Sequence, residues 1–283
     1  MALKALLAPI SGCEENEVAL VVGFRLARRL GAFVDVLHVR PDPRDAIPLV
    51  PDASVGAVAA RIYELAEQEG KERARRARKL YEDACKKARV VTEGAKAAAR
   101  FRIMVGRAAA VVPQRGRVAD LILLGRVPEA AGAYWQLTLE AALLESGRPV
   151  LLLPAASQVP VARSVAIAWN GSVEAARAAS AALPILAKAA RVLLLAGEKD
   201  RPIEPSLAEF AEWLDRHRIA AAVETVALKG WPVGERLVAD AVAAGADLLV
   251  MGAYGRSRMR ETIFGGATRS VLNESALPVL MAH

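Results

Sequence analysis

The chain has 283 residues, of which 54% are apolar, 5% aromatic and 24% charged, and its formal net charge is +7. At roughly 150 residues per domain, this length predicts two domains of ordinary soluble composition. No run reaches the ~20 apolar residues of a membrane span, and the N-terminus lacks an apolar segment long enough to direct export. The two cysteines, Cys13 and Cys85, suggest no disulfide or metal framework. We therefore expect a cytoplasmic protein that does not contact membranes.

Short apolar runs alternate with helical patterns along the first half of the chain. They predict strands near residues 3–9, 33–39, 99–105, 119–124 and 149–153. An insertion of roughly 30 residues separates the second and third strands, and it predicts a long charged helix over about residues 55–91. Because such a helix has more surface than one domain can bury, we expect part of it to meet the other half of the chain or another chain.

The second half repeats this plan without the insertion. It predicts strands at 163–169, 191–196, 220–227, 246–252 and 277–282, and helices at 172–189, 205–218, 231–244 and 265–274. Continuous apolar strands are typical of a sheet buried on both faces, and their alternation with helices predicts βαβ units and a parallel sheet.

Two sequence segments occur once in each half. Residues 119–125 read ADLILLG and residues 246–252 read ADLLVMG, while residues 145–152 read ESGRPVLL and residues 274–281 read ESALPVLM. A proline-bearing stretch, 154–160, lies between the copies. We therefore predict two tandem Rossmann-like α/β domains, residues 1–155 and 161–283, each a five-stranded, mainly parallel sheet flanked by helices.

A glycine-bearing segment, residues 252–268, follows the fourth strand of the second half. Gly252 and Gly255 come at the carboxyl end of that strand, where open α/β sheets bind ligands near the topological switch point, and glycine lets the backbone approach a phosphate. Gly265 and Gly266 come before a helix whose free N–H groups favour an anion. The segment also offers a hydroxyl and countercharges from Thr268, Arg256, Ser257, Arg258 and Arg260. The alternative is that these glycines only form a tight turn.

The pattern Gly252-x2-Gly255-x9-Gly265 resembles that of ATP-binding universal stress proteins, as do FGGATRSVL at 264–272 and AWNGSVEAAR at 168–177. The resemblance covers the whole chain as a tandem form and is weaker in the first half. It implies an adenine nucleotide alpha hydrolase-like fold in which the fifth strands, 149–153 and 278–281, meet about a pseudo-two-fold axis.

The resemblance also implies a nucleotide site and a role. The ligand is ATP, or AMP or ADP, with Mg²⁺ as a candidate companion of the phosphates. The residues implied are Ala168, Asn170, Gly252, Gly255, Arg256, Ser257, Gly265, Gly266, Ala267 and Thr268. Asn170 stands where ATP binders usually have Asp, and Gly266 where they usually have Ser or Thr. The implied role is stress-response regulation with slow hydrolysis at most, because no residue resembles a dedicated general base. The alternatives are a nucleotide-independent scaffold that contacts protein partners, and a true hydrolase or transferase.

The first half lacks the glycine segment. Alignment back from the shared Glu-Ser-x-x-Pro-Val-Leu places Gln136 and Leu137 where Gly265 and Gly266 stand. The position of Gly255 falls near Val127-Pro128, and proline has no N–H to offer a phosphate. We predict no such nucleotide in this copy, and we expect its loop, with Tyr134 and Trp135, to pack as an interface or hold another ligand.

Other candidate features have ordinary alternatives. The basic run 71–79 has helical spacing without aromatic residues, which favours a solvated helix face over a nucleic-acid or other polyanion site. Cys13 is either a redox-sensitive thiol near a helix start or a small buried residue, and Cys85 is expected to pack in the long helix. Trp169 either stacks on a ligand or belongs to the core. The three histidines, His38, His217 and His283, lack metal-ligand spacing. Asp35 is not expected to act as a base. The sequence does not decide whether two chains form a homodimer through the long helix.

Overall fold

The computed structural model describes residues 2–47, 56–94, 98–126, 132–154, 162–197, 204–226, 233–255, 271 and 275–283. The first half contains β1 (Ala5–Ile10), α1 (Glu15–Leu30), β2 (Phe33–Arg40), a 3-10 turn (Pro43–Ala46), α2 (Gly56–Ala88), β3 (Ala99–Val105), α3 (Ala108–Gly116), β4 (Leu121–Gly125), α4 (Gly132–Glu145) and β5 (Val150–Leu153). The second half contains β6 (Ser164–Ala168), α5 (Val173–Leu186), β7 (Arg191–Gly197), α6 (Leu207–Arg216), β8 (Ala222–Val226), α7 (Val233–Ala243), β9 (Leu248–Gly252) and β10 (Val279–Ala282). All ten predicted strands are present, whereas the predicted helix 265–274 lies outside the described residues apart from Val271.

The ten strands form one continuous sheet in the order β3-β2-β1-β4-β5-β10-β9-β6-β7-β8. The neighbours within each half are parallel, and the halves join where β5 pairs antiparallel with β10. Leu151 faces Leu280 in this pairing, and both side chains are fully buried. The expected meeting of the two fifth strands is therefore present.

Helices cover both faces of the sheet. Buried side chains of α1, α2, α5 and α6 pack on one face, and those of α3, α4 and α7 pack on the other. The central strands β4, β5, β9 and β10 are apolar because burial on two faces leaves no solvent side for polar residues, whereas β2 and the edge strand β3 carry charged residues. None of the helices in the described ranges is long and apolar enough to cross a membrane.

The long helix α2 lies against its own half of the chain. Its main packing partners among the described elements are α1, β2, β3 and the 3-10 turn, so the expected contact with the second half is not among them. Its basic residues form an exposed face, with Lys71 paired to Glu67 and Arg73 paired to Glu69 one helical turn away. This is the solvated helix face that the spacing favours.

The repeated aspartates anchor the first strand of each half. The Asp120 carboxylate accepts from Lys4 N at 2.7 Å and Ala5 N at 2.9 Å, ahead of β1. The Asp247 carboxylate accepts from Arg163 N at 2.9 Å and Ser164 N at 3.1 Å, ahead of β6. The shared Ala-Asp-Leu segment therefore has the same structural role in both copies.

The aspartate anchor can be tested by removing its acceptor. We expect Asp247→Ala to lower the free energy of unfolding by about 1–3 kcal/mol, because two backbone N–H groups lose their acceptor in a partly buried place. Urea unfolding followed by circular dichroism measures the loss. The control is Asp215→Ala at an exposed helical position, which should change stability by about 0.5 kcal/mol or less. Equal losses in both variants would contradict the anchoring role.

Candidate functional site

The switch point of the second half lies between β6 and β9. These strands are parallel neighbours, with Ile167 opposite Val250, while β7 pairs with the far side of β6 and β10 with the far side of β9. The chain leaves the two adjacent carboxyl ends in opposite directions, which opens a crevice outside the sheet. The sequence-predicted residues Ala168 and Gly252 are the last residues of these two strands.

The turn from β6 into α5 is fixed by its own side chains. Asn170 Oδ1 accepts from Ser172 N at 3.0 Å, and Gly171 between them adopts a left-handed φ of 73°. Ser172 caps α5, since its Oγ accepts from Ala175 N at 3.1 Å. Asn170 is exposed, whereas Ala168 is buried and can offer a ligand little beyond its backbone. The side-chain oxygen of Asn170 therefore already stabilises the turn.

Gly252 is required by packing. A Cβ built there would lie 2.6 Å from Ala175 N and 2.8 Å from the Glu174 backbone carbon, so the first turn of α5 rests directly on the end of β9. Gly125 at the end of β4 has the same environment, because a Cβ there would lie 2.8 Å from the Ala19 Cβ. The glycine shared by the two repeats therefore has a structural cause that needs no phosphate.

Gly255 has a different environment. It is exposed, its φ is not left-handed, and the nearest described atom to a Cβ built there is Glu174 Oε2 at 3.7 Å. Neither backbone conformation nor crowding among the described residues demands glycine at this position.

Glu174 is a member of the crevice that the sequence analysis missed. It belongs to the first turn of α5 and is only 5% exposed, yet its carboxylate faces the position of Gly255. An acidic residue in the first turn of a helix is ordinary, because it complements the helix dipole. Its sequence position therefore gave no sign that it lies beside the glycine segment.

Trp169 is a core aromatic residue. Its ring stacks on Phe210 with centroids 3.9 Å apart, and its Nε1 donates to Pro205 O at 2.9 Å. The residue is 5% exposed. Its ring is committed to α6 and the segment before it, so the alternative of stacking on a ligand is not what the structure shows.

The remaining predicted site residues fall outside the described part of the chain. These are Arg256, Ser257, Gly265, Gly266, Ala267 and Thr268. The structure therefore brings together Ala168, Asn170, Gly252 and Gly255, and adds Glu174 to them.

In the first half, Gln136 and Leu137 lie inside a helix and not at its start. α4 starts at Gly132, so Gln136 is its fifth residue, and the amides from that residue onward donate within the helix. Trp135 contributes further, because its Nε1 donates to Gly125 O at 2.9 Å and so lies over the end of β4. We expected this loop either to pack as an interface or to hold another ligand, and the Trp135 contact supports packing.

The helix α2 covers the crevice of the first half. Gly12 follows β1 with a φ of 93°, and a Cβ there would lie 3.0 Å from Arg73 O and 3.5 Å from the Ala77 Cβ. His38 lies at the neighbouring strand end, 2% exposed, with its Nδ1 3.0 Å from Ile10 O. The inserted helix therefore lies where a ligand of this half would enter.

The other candidate features have structural explanations. Cys13 is half-buried and burial raises its pKa, which opposes a reactive thiolate, and burial raises the pKa of Cys85 to about 11. The Asp35 carboxylate pairs with Arg100 and Arg102 on β3. The described residues contain no cluster of three metal-ligating side chains.

A protein family matches the second half of the chain, whereas solved structures are similar to the whole chain. Residues 162–283 match the Universal stress protein family, and no curated protein matches the sequence significantly. A universal stress protein from Archaeoglobus fulgidus DSM 4304 is similar in structure over 98% of this chain and 97% of its own, with a TM-score of 0.66 and 18% identity. A protein of unknown function from Pseudomonas aeruginosa PAO1 is similar over 99% and 92%, with a TM-score of 0.57 and 13% identity. At these identities the structural likeness establishes the shared fold.

The two site glycines should respond differently to a methyl group. We expect Gly252→Ala to lower the free energy of unfolding by about 1–3 kcal/mol, because its Cβ meets the α5 backbone. We expect Gly255→Ala to change it by about 0.5 kcal/mol or less, because its Cβ has space. Urea unfolding of both variants compares them. A loss for Gly255→Ala as large as that for Gly252→Ala would contradict this distinction.

Stability should fall in acid because of His38. Burial lowers the pKa of His38 below its ordinary 6.5, with Arg73 and Arg40 adding to the effect. The unfolded chain then takes up a proton that the folded chain excludes, so stability is full above pH 6.5 and is lost below it, by at most about 1.4 kcal/mol per pH unit. Urea unfolding at pH 7.5 and 5.5 measures this loss. The loss of stability between these pH values should be smaller in His38→Gln. It should persist in His217→Gln, which changes an exposed histidine and serves as the control. An unchanged loss in His38→Gln would show that His38 is not its cause.

Proposed function

We propose that this chain, whose residues 162–283 form a universal stress protein domain, binds an adenine nucleotide at the carboxyl ends of β6 and β9. The observation that carries the proposal is the switch-point crevice, at which Gly255 is exposed and is not crowded by any of the described residues. An open α/β sheet binds its ligand at such a crevice, and glycine allows the backbone to approach a phosphate. ATP is the candidate tested first, with ADP and AMP as related ligands.

The phosphates of this ligand would rest on backbone N–H groups. Gly255 would supply one contact, and the sequence places Gly265 and Gly266 where a helix can present its free amides to an anion. The base or ribose would lie toward Asn170, whose side-chain amide remains available as a donor while its oxygen holds the turn. We therefore expect the ligand to place a hydrogen-bond acceptor beside the side-chain NH2 group of Asn170.

Glu174 gives a reason for a divalent cation with the nucleotide. Its carboxylate lies beside Gly255 in a nearly buried place, so it opposes the negative charge of a polyphosphate. A Mg²⁺ ion on the phosphates would reduce this repulsion, and the arginines at 256, 258 and 260 would add countercharge. We therefore expect ATP·Mg to bind more tightly than free ATP.

A regulatory role fits the crevice better than an enzyme with rapid turnover. Among the described residues around it, the Ser172 hydroxyl is used as a helix cap, and no hydroxyl or thiol is paired with a base there. The two cysteines are free thiols, which fits a reducing compartment such as the cytoplasm. We propose a cytoplasmic stress-response regulator that hydrolyses ATP slowly at most.

A nucleotide-independent scaffold is the second candidate. The Asn170 oxygen is already engaged by Ser172 N, which disfavours its use as an acceptor for a ribose hydroxyl. Glu174 brings negative charge to the crevice, which disfavours a phosphate. In that case the crevice would bind no nucleotide, and the chain would act through contacts with protein partners. Direct titration separates the two candidates.

Calorimetric titration with ATP·Mg provides this test. We expect the wild-type protein to release or absorb heat at micromolar to millimolar ATP, and the double variant Gly265→Val, Gly266→Val to lose this signal, because side chains block the backbone. The matched control is Gln136→Val, Leu137→Val at the equivalent positions of the first half, which should leave binding unchanged.

Three outcomes discriminate among the functions. No heat and no thermal shift for the wild type at millimolar ATP·Mg would overturn nucleotide binding and favour the scaffold. Equal binding by the glycine double variant would overturn the placement of the site. Product formation at about 1 s⁻¹ or faster would instead indicate a true hydrolase.

A further inference from the structure

Arg126 of the first half contacts the second half just before β10. It directly follows β4, and its backbone N–H donates to Leu153 O at 2.7 Å. Its guanidinium crosses the junction, where Nη1 donates to Ser275 O at 2.6 Å and Nη2 donates to Val271 O at 3.0 Å. One side chain thus holds two carbonyl groups of the other copy.

The two carbonyl groups belong to the end of a helical turn. Val271 is helical, and Ser275 N donates to Val271 O at 3.2 Å. Carbonyl groups in the last turn of a helix carry partial negative charge, which a guanidinium complements. Burial lowers the pKa of Arg126, and its Nε has no hydrogen-bond partner among the described residues. The two hydrogen bonds to the carbonyl groups offset the cost of burying this charge. Because the guanidinium would lose this compensation elsewhere, the contact favours this one arrangement of the two halves.

The contact has no counterpart from the second half. Gly125 corresponds to Gly252, and Ala253 takes the place of Arg126 while keeping the same backbone bond, from Ala253 N to Ala282 O at 2.9 Å. A methyl side chain cannot reach the helix end of the first half. Arg126 of the first half, which lacks the glycine segment, therefore holds the second half, which contains it. We call this contact, from Arg126 to Val271 O and Ser275 O, the clasp.

The start of the glycine segment is buried in a cluster that includes side chains of the first half. Tyr254 has a left-handed φ of 58° and is 8% exposed, within the same buried cluster as Leu139 and Leu143 of α4. Burial, with a smaller effect of the nearby Glu140 carboxylate on α4, raises the Tyr254 pKa. Tyr254, immediately before Gly255, is therefore buried in a cluster to which α4 contributes side chains.

We propose that the first half positions the ligand site of the second half, with Arg126 as the positioning residue at Val271 and Ser275 and with α4 supporting Tyr254. This inference rests on the proposed function for its ligand, though not for its contacts. Because the two anchors lie before and after the segment 255–270, loosening either one should reduce nucleotide affinity. By reciprocity, bound nucleotide should strengthen the contact between the halves.

Arg126→Met and Arg126→Lys test the clasp. Met removes the donors and Lys replaces the two-pronged donor by a single ammonium group. Without any nucleotide, we expect hydrogen exchange of the Ser275 and Leu277 amides to speed up by about tenfold or more in Arg126→Met, since two charge-assisted hydrogen bonds are lost. With ATP·Mg, we expect calorimetry to show about tenfold weaker binding in Arg126→Met and a smaller loss in Arg126→Lys.

Arg29→Met is the matched control. Arg29 also crosses between the halves, donating to Ala162 O at 2.7 Å and to Lys188 O, but it contacts neither end of the glycine segment. We expect this variant to lower overall stability while leaving ATP·Mg affinity and the Ser275 and Leu277 exchange rates within about twofold of the wild type, because the lost contact is elsewhere. A general weakening of the junction would affect both variants alike.

The outcomes separate this inference from the proposed function. If the wild type binds ATP·Mg and Arg126→Met binds it equally well, the positioning role is wrong. If the wild type does not bind, the proposed function fails, and the exchange rates alone decide whether Arg126 fixes the helix end; unchanged rates would overturn the clasp. If Arg126→Met does not fold, Arg126→Lys supplies the same two measurements.

Discussion

The antiparallel pairing of β5 with β10 determines the form of the whole molecule. It joins two parallel sheets, each of five strands, so that their edges are satisfied internally and their helical layers continue across the junction. Exposed strand edges are unsatisfied hydrogen-bonding surfaces, and here two of them cover one another. The pairing also turns the carboxyl ends of the two halves to opposite edges of the sheet. This orientation brings Arg126, at the carboxyl end of β4, beside the residues that lead into β10.

The glycines of the two halves show why a shared motif need not mean shared chemistry. Gly125 and Gly252 both allow a helix to lie against a strand end, so the repeat preserves them for packing. Gly255 has no such demand, and the first half has no glycine in its place. The shared glycines are thus explained by packing, and the features proposed for ligand binding lie beyond the shared motif. In the first half, α2 lies over Gly12, and Gln136 and Leu137 lie inside α4.

The sequence predicts the strands and the long helix well because their patterns are local. Burial on both faces makes the central strands continuous apolar runs, and helix α2 follows from its own periodicity. The site is only partly predictable. Glu174 resembles any acidic residue at a helix start, and its position beside Gly255 arises from the packing of α5 on β9. Arg126 follows a strand in the sequence, but its partners are nearly 150 residues away and are reached only through the pairing of β5 with β10.

Covalent fusion of the two copies changes what evolution can do with them. In a two-fold dimer of identical chains, every substitution appears at both sites, so a change that removes one ligand pocket removes the other. In this chain each half mutates alone, while the linker keeps the halves at a high effective concentration whatever the dilution of the protein. Here one copy carries α2 over its crevice and Arg126 at its rim, while the other has Ala253 in the place of Arg126. A fused pair can therefore hold one half that differs from the other and contacts it through a side chain that the other half lacks at the equivalent position.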